Sequence, residues 1–279
     1  MGKYLFFDID GTLVGKSRMV TEKNKYAIQK ARENGHKAFL CTGRAPTSIV
    51  GDIKSVGFDG IVCSAGGFVI INDQYIFENF INQYILSEVM TLFINNHILF
   101  SLESKNAIYQ TPGVTEFFDQ RHQADLENNL ELKRFFQLRK QGENRLPIQD
   151  FDILTTGITK VVFIAPNKED FKKCVPFLEE FFHIVLFSKA DDDFINGEII
   201  LKHCTKADGI KKVVDYFLGS MEDTIAFGDS MNDYQMLEKA EVAVVYKNAS
   251  ENLKALGDYY FDDPDKDGIY DVMKELELI

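Results

Sequence analysis

Residues 1–82 and 188–279 share a pattern that residues 83–187 lack. At both ends, short apolar runs alternate with amphipathic stretches, and polar turns follow several of the runs. Tyr4-Leu5-Phe6-Phe7 reads as a buried strand. Thr21 can cap a helix from about Glu22 to Asn34, with Gly35 as its stop. Lys37–Cys41 predicts a second strand. Pro46–Val56 predicts a second helix, with Ile49, Val50, Ile53 and Val56 on one face. Gly60–Cys63 predicts a third strand. A hairpin should follow, pairing Phe68–Ile71 with Tyr75–Glu78 across Asn72-Asp73-Gln74. This order implies a parallel sheet with right-handed crossovers.

The middle follows other rules. Ile85–Ile94 and Phe171–Phe182 predict helices and Val161–Ala165 a strand, whereas the polar stretch 119–152 supports no firm assignment. The first pattern then resumes. Thr205-Lys206-Ala207-Asp208 spells a capping box that opens a helix running to Leu218. Thr224–Phe227 and Glu241–Val245 predict strands. The economical fold is α/β: a doubly wound, Rossmann-like parallel sheet built from 1–82 and 188–279, with an α+β cap domain, 83–187, inserted into it. Ligands of such sheets bind beyond the carboxyl ends of the strands. The turns Asp8–Thr12, Thr42–Arg44 and Gly228–Asp233 should therefore meet on one rim.

Those turns hold the candidate chemistry. Asp8 and Asp10 lie two positions apart, so an extended chain turns both carboxylates to one side. Such a pair needs a cation or a proton between its members. A carboxylate can attack phosphorus and carry the phosphoryl group, and Asp8, deepest on its strand, is the better nucleophile. Asp10 is placed to protonate the leaving oxygen and then to take a proton from water. The first role needs an ionised acid and the second a protonated one, so their environments must differ. Asp8 and Asp229 are candidate ligands for a hard divalent cation such as Mg²⁺, and Asp233 is either a direct ligand or a partner of one. Phosphate oxygens would find donors in the Thr42 hydroxyl, the Gly43 turn, Lys206 at a helix start and the Asn232 amide, with Arg44 reaching the phosphate or the substrate body.

Asp8-Ile9-Asp10-Gly11-Thr12, Thr42-Gly43-Arg44, Lys206 and Gly228-Asp229-Ser230-Met231-Asn232-Asp233 together resemble the four motifs of the haloacid dehalogenase superfamily. The chain is similar to its Cof-type phosphatases, which carry a large α/β cap between the second and third motifs. The resemblance implies the same roles for Asp8 and Asp10. It adds the backbone carbonyl of Asp10 to the metal ligands and sets Thr42 and Lys206 on the phosphoryl group. Sugar phosphates are the substrate class it favours. A phosphomutase could use the same motifs and would yield an isomerised sugar phosphate. A phospho-relay receiver or phosphate sensor would keep a lasting aspartyl phosphate, but receivers are short and lack such an insertion.

The net charge of −12 disfavours nucleic acid and anionic membranes as partners. A small phosphorylated metabolite remains compatible, because local cations can reverse the field in a pocket. Cys41, Cys63, Cys174 and Cys204 show no metal-ligand spacing and read as core residues. His36, His97, His122, His183 and His203 show no ligand spacing, and Phe177, Phe181, Phe182 and Phe187 read as cap core. The N-terminus has no signal-peptide pattern, so a cytoplasmic protein is expected. Oligomeric state is not legible.

Overall fold

A computed structural model of the chain describes residues 2–49, 51–120, 144–188 and 191–279. Val50, His122 and most of the unassigned 119–152 stretch lie outside the described residues. In chain order the strands are β1 Tyr4–Phe7, β2 Lys37–Cys41, β3 Gly60–Cys63, β4 Phe68–Ile71 and β5 Gln74–Glu78. There follow β6 Leu99–Ser104, β7 Ile108–Gln110, β8 Arg145–Pro147, β9 Ile158–Ala165, β10 Phe182–Leu186 and β11 Ile195–Leu201. The last three are β12 Thr224–Gly228, β13 Val242–Tyr246 and β14 Tyr259–Phe261. Two compact units result. One holds residues 1–44, 49–78 and 203–279; the other holds 45–48 and 79–202.

The first unit is built on an eight-stranded sheet, ordered β14-β13-β12-β1-β2-β3-β4-β5. From β14 to β3 every pairing is parallel, and β4 and β5 add an antiparallel edge. β1 lies at the centre with Leu5, Phe6 and Phe7 fully buried, because side chains on both faces are covered. One face packs Leu5, Phe7 and Leu40 against Ala27, Ile28 and Ala31 of helix α1 Glu22–Glu33. The other packs Phe6, Phe39 and Ala226 against Ile210, Val213 and Val214. Thr21 caps α1 as expected, its side chain accepting from the Asn24 amide. The hairpin turn is tighter than the sequence suggested. Asn72 (φ 50°) and Asp73 (φ 60°) make it alone, in the left-handed pair of a type I′ hairpin turn.

The helix expected over 46–56 is not one helix. A 3-10 turn, Pro46–Ser48, and one turn of α-helix, α2 Asp52–Ser55, are separated by Gly51 at φ 59°. A residue in that conformation cannot continue a right-handed helix. Ile49, Ile53 and Val56 still reach the core, so the apolar pattern marked burial and not helical continuity.

The second unit carries a six-stranded sheet, β10-β11-β9-β6-β7-β8, antiparallel except for the β7–β8 pair. Helices α3 Gln83–Asn95, α4 Val114–Gln120 and α5 Lys168–Phe181 belong to it. Leu86, Val89 and Phe93 of α3 and Phe171, Cys174 and Leu178 of α5 share one apolar cluster with Val161 and Phe163 of β9. α5 begins earlier than its apolar residues suggest, because Asn167 caps it, and Phe182 already opens β10. Phe177, Phe181 and Phe182 join this cluster, and Phe187 is half-buried outside it. Strand β11 pairs with β9 and β10, so this unit runs to Lys202, beyond the boundary at 187 that the sequence pattern suggested. The signal was weak because Asn196, Gly197 and Glu198 interrupt the apolar run.

All four cysteines are buried. Among the described residues no helix is long and apolar enough to cross a membrane.

Candidate active site

Parallel pairing puts the ends of β1, β2 and β12 side by side. Phe7 is level with Leu40 of β2 and with Phe227 of β12, so Asp8, one residue past β1, lies at the edge where Cys41 and Gly228 end β2 and β12. Asp8 is held there by its backbone amide, which donates to the Phe227 carbonyl at 3.0 Å. The chain then turns back tightly. The amides of Leu13 and Val14 both donate to Ile9 O. Gly11 makes the turn at φ 92°, and a Cβ on it would lie 2.1 Å from Asp229 Oδ2. Only glycine lets this turn approach the second carboxylate.

The loop after β12 delivers the other acids. Ser230 and Asp233 form a capping box. Asp233 Oδ2 accepts from the amides of Asp229 (3.0 Å) and Ser230 (3.2 Å). Its other oxygen receives the Lys206 ammonium, and the side chain is fully buried. Lys206 opens helix α6 Lys206–Tyr216, capped by the Thr205–Asp208 box that the sequence predicted. Its ammonium also donates to Asp8 Oδ1 at 2.6 Å and to Asn232 Oδ1 at 3.4 Å. Asn232 Oδ1 further accepts from Ser230 Oγ at 2.9 Å, which leaves its NH₂ as the donating end. Asp229 accepts from Thr12 Oγ1 at 2.9 Å.

The electrostatics show what this cluster favours. One oxygen each from Asp8, Asp229 and Asp233 lies within 4.8 Å of the others. The Lys206 ammonium pairs with two of these three carboxylates, Asp8 and Asp233. Burial, then repulsion from Asp233, pushes the Asp8 carboxyl up to about 7, against the pull of Lys206. Burial, Asp233 and Asp8 likewise hold the Asp229 carboxyl well above the usual range. Burial alone would lower Lys206, but Asp233 and Asp8 outweigh it and raise it. Proton-hungry oxygens on two buried acids and one half-buried acid, converging on one point, are the donor set that a hard divalent cation takes. The cluster therefore fits a metal site.

Asp10 stands apart from this cluster. Arg44 grips it with a fork, Nε to Oδ2 at 2.9 Å and Nη2 to Oδ1 at 2.7 Å. Thr42 is buried, and its hydroxyl accepts from the Arg44 amide at 3.2 Å, keeping its own hydrogen for donation. A Cβ on Gly43 would meet nothing within 4 Å, so the turn borders open space. The structure thus joins Asp8, Asp229, Asp233, Lys206 and Asn232 in one network and sets the Asp10–Arg44 pair and Thr42 beside it. Sequence reasoning gave no role to the Thr12 hydroxyl on Asp229 or to Ser230. The second was readable from the Ser-x-x-Asp spacing of Ser230 and Asp233.

Residues 5–273 match the family model of haloacid dehalogenase-like hydrolases. The chain belongs to that family. The match spans both units. The chain is 27% identical to the putative phosphatase YkrA of Bacillus subtilis, over 99% of this chain and 98% of that one. It is 25% identical to the phosphatase YwpJ of the same organism, over 98% and 99%. Among solved structures, a hypothetical protein of Geobacillus kaustophilus superposes with a TM-score of 0.82 at 22% identity, over the full length of both chains. The HAD subclass IIB sugar phosphatase BT4131 superposes with a TM-score of 0.78 at 23% identity, over 99% and 100%. This haloacid dehalogenase-like chain is therefore a hydrolase of the phosphatase type, and its fold is that of these solved structures.

Proposed function

We propose that the protein is a Mg²⁺-dependent phosphatase that hydrolyses a small phosphomonoester through an aspartyl phosphate on Asp8. The convergence of Asp8, Asp229 and Asp233 around Lys206 is the observation that supports this best. Asp8, Asp229, Asp233 and the Asp10 carbonyl would hold the ion. When bound, it would keep Asp8 ionised and neutralise charge on the phosphoryl oxygens.

Asp8 attacks phosphorus with one carboxylate oxygen. The bond to the ester oxygen breaks, and Asp10 gives that oxygen a proton, so the leaving group departs as a neutral alcohol. Water then attacks the acyl phosphate. Asp10 takes the proton back, inorganic phosphate leaves and Asp8 returns as a carboxylate. Lys206, the Thr42 hydroxyl, the Gly43 turn and the Asn232 NH₂ bind the phosphoryl oxygens. Arg44 must release Asp10 before that carboxyl can carry a proton, and an incoming phosphate dianion is a stronger attractor for the guanidinium.

Sugar phosphates and phosphorylated polyols are the substrate class we assign. Two likenesses support it: the sugar phosphatase BT4131, and the 5-amino-6-(5-phospho-D-ribitylamino)uracil phosphatase YwtE of Bacillus subtilis, 22% identical over 96% of this chain. We place the enzyme in the cytoplasm. A phosphate-release screen over a panel of sugar, polyol and nucleotide monoesters, run with Mg²⁺ and with EDTA, tests the whole proposal. Metal-dependent release from sugar or polyol phosphates is expected. Release that EDTA leaves untouched, or isomerised sugar phosphate without free phosphate, would refute it.

A further inference from the structure

Three consecutive residues after β3 have left-handed backbone: Ser64 (φ 49°), Ala65 (φ 55°) and Gly66 (φ 99°). A non-glycine residue there is strained relative to ordinary backbone, because its Cβ crowds the following carbonyl oxygen. Asparagine or aspartate could offset such strain with a local side-chain bond. Ser64 does not, because its buried hydroxyl has no hydrogen-bond partner. Strained backbone persists only where its surroundings over-determine it, and it clusters at functional sites.

The surroundings here are the phosphate-binding elements. On one side, the Ser64 amide donates to Arg44 O at 2.8 Å and the Ala65 amide donates to Thr42 O at 3.1 Å. The turn thus grips the Thr42-Gly43-Arg44 backbone at both ends. On the other side, Gly66 lies so close to the start of α6 that a Cβ would fall 2.1 Å from Thr205 O. Thr205 caps the helix whose first residue is Lys206.

We propose that Ser64-Ala65-Gly66 is a positioning element that fixes the Thr42–Arg44 turn relative to the Lys206 ammonium, and so sets the width of the phosphate-binding site. It acts through those residues and does not touch the substrate. The proposal rests on the phosphate site described above. It predicts that disturbing this turn weakens phosphate binding, because the Thr42–Arg44 backbone and the start of α6 would no longer be held at one spacing.

The test uses Gly66→Ala, whose new Cβ must push Thr205 and Lys206 away, and Ala65→Val, whose branched side chain resists left-handed backbone. Inhibition by inorganic phosphate and the Mg²⁺-induced rise in melting temperature are measured on the folded proteins. The expected result is a phosphate inhibition constant raised about tenfold in Gly66→Ala and about threefold in Ala65→Val, with a wild-type Mg²⁺ shift in Ala65→Val, whose turn bonds only the Thr42–Arg44 side. A purely structural turn would lower melting temperature and leave the inhibition constant of folded protein unchanged, which would overturn the proposal. If Gly66→Ala does not fold, Ala65→Val decides by the same criterion. Absence of phosphate inhibition in the wild type would instead overturn the phosphate site itself.

Discussion

Each unit of the molecule buries a lysine between two acids, and the two arrangements differ instructively. Lys160 lies on β9 between Glu103 of β6 (3.2 Å) and Glu198 of β11 (2.8 Å). Glu103 is its direct cross-strand neighbour, so sheet register alone brings this pair together. Lys206 reaches Asp8 and Asp233 from a helix start, and its partners leave the ends of different strands. Near it stands a third acid, Asp229, and burial with mutual repulsion raises the Asp8 and Asp229 carboxyls. A buried lysine between acids is therefore not by itself a sign of function. An excess of buried carboxylate, gathered from elements distant in sequence, is.

The comparison breaks most visibly at Asp8. Asp8→Asn should lower kcat by about 10⁴-fold or more while substrate still binds, because only the proposed nucleophile is lost. Phosphate release under single-turnover conditions checks this, and substantial remaining turnover would remove Asp8 from its role. The two lysines should then part company. Lys206→Met should reduce kcat/KM by roughly 10²–10³-fold through lost phosphate stabilisation. Lys160→Met should destabilise the protein by about 3–5 kcal/mol, since acids would remain buried without their ammonium. The folded fraction of that variant should turn over within about twofold of wild type. Urea titration and steady-state rates on both variants read the two effects separately. Loss of turnover in a folded Lys160→Met protein would end the distinction.

A smaller effect separates the units by pH. For Asp8 the folded pKa, about 7, exceeds the ordinary carboxylate value, so the metal-free folded state binds more protons than the unfolded chain in between. Its contribution to stability is present at low pH and is lost as pH rises toward 7. Mg²⁺ competes with those protons. The Mg²⁺-induced rise in melting temperature should therefore be larger at pH 7.5 than at pH 5.5. A shift independent of pH would show that the cation binds elsewhere.

The core unit was legible because its information is local. Thr21, Asn72-Asp73 and Thr205–Asp208 each carry their turn or cap chemistry in adjacent residues, and β1 is apolar throughout. The acids Asp8, Asp229 and Asp233 were legible because strand ends in a parallel sheet must share an edge. What stayed hidden depends on residues distant in sequence. The Arg44 fork on Asp10 and the Thr12 bond to Asp229 arise only when separate turns meet. The left-handed run at Ser64 and Ala65 carries small residues that give no turn signal of their own. The extent of the second unit was misjudged for a related reason. β11 is recognisable as its strand from the partners β9 and β10 more than from its interrupted apolar run.

The smallest expected effect sharpens the contrast most, because its sign differs between the units. Asp229→Asn keeps an oxygen for the Thr12 hydroxyl and removes one charge from a cluster whose acids already resist ionisation. Metal-free Asp229→Asn at pH 7.5 should melt about 2–4 °C above wild type, corresponding to roughly 1 kcal/mol for a chain of this size, and Mg²⁺ should no longer raise its melting temperature. Glu103→Gln makes the same chemical change beside Lys160, where the acid is the lysine's cross-strand partner. That variant should melt a few degrees below wild type, with its Mg²⁺ shift intact. Two neutralised carboxylates that move stability in opposite directions would mark one site as held ready for a cation and the other as already neutralised. If both variants lost stability alike, the crowding of the three aspartates would carry no functional meaning.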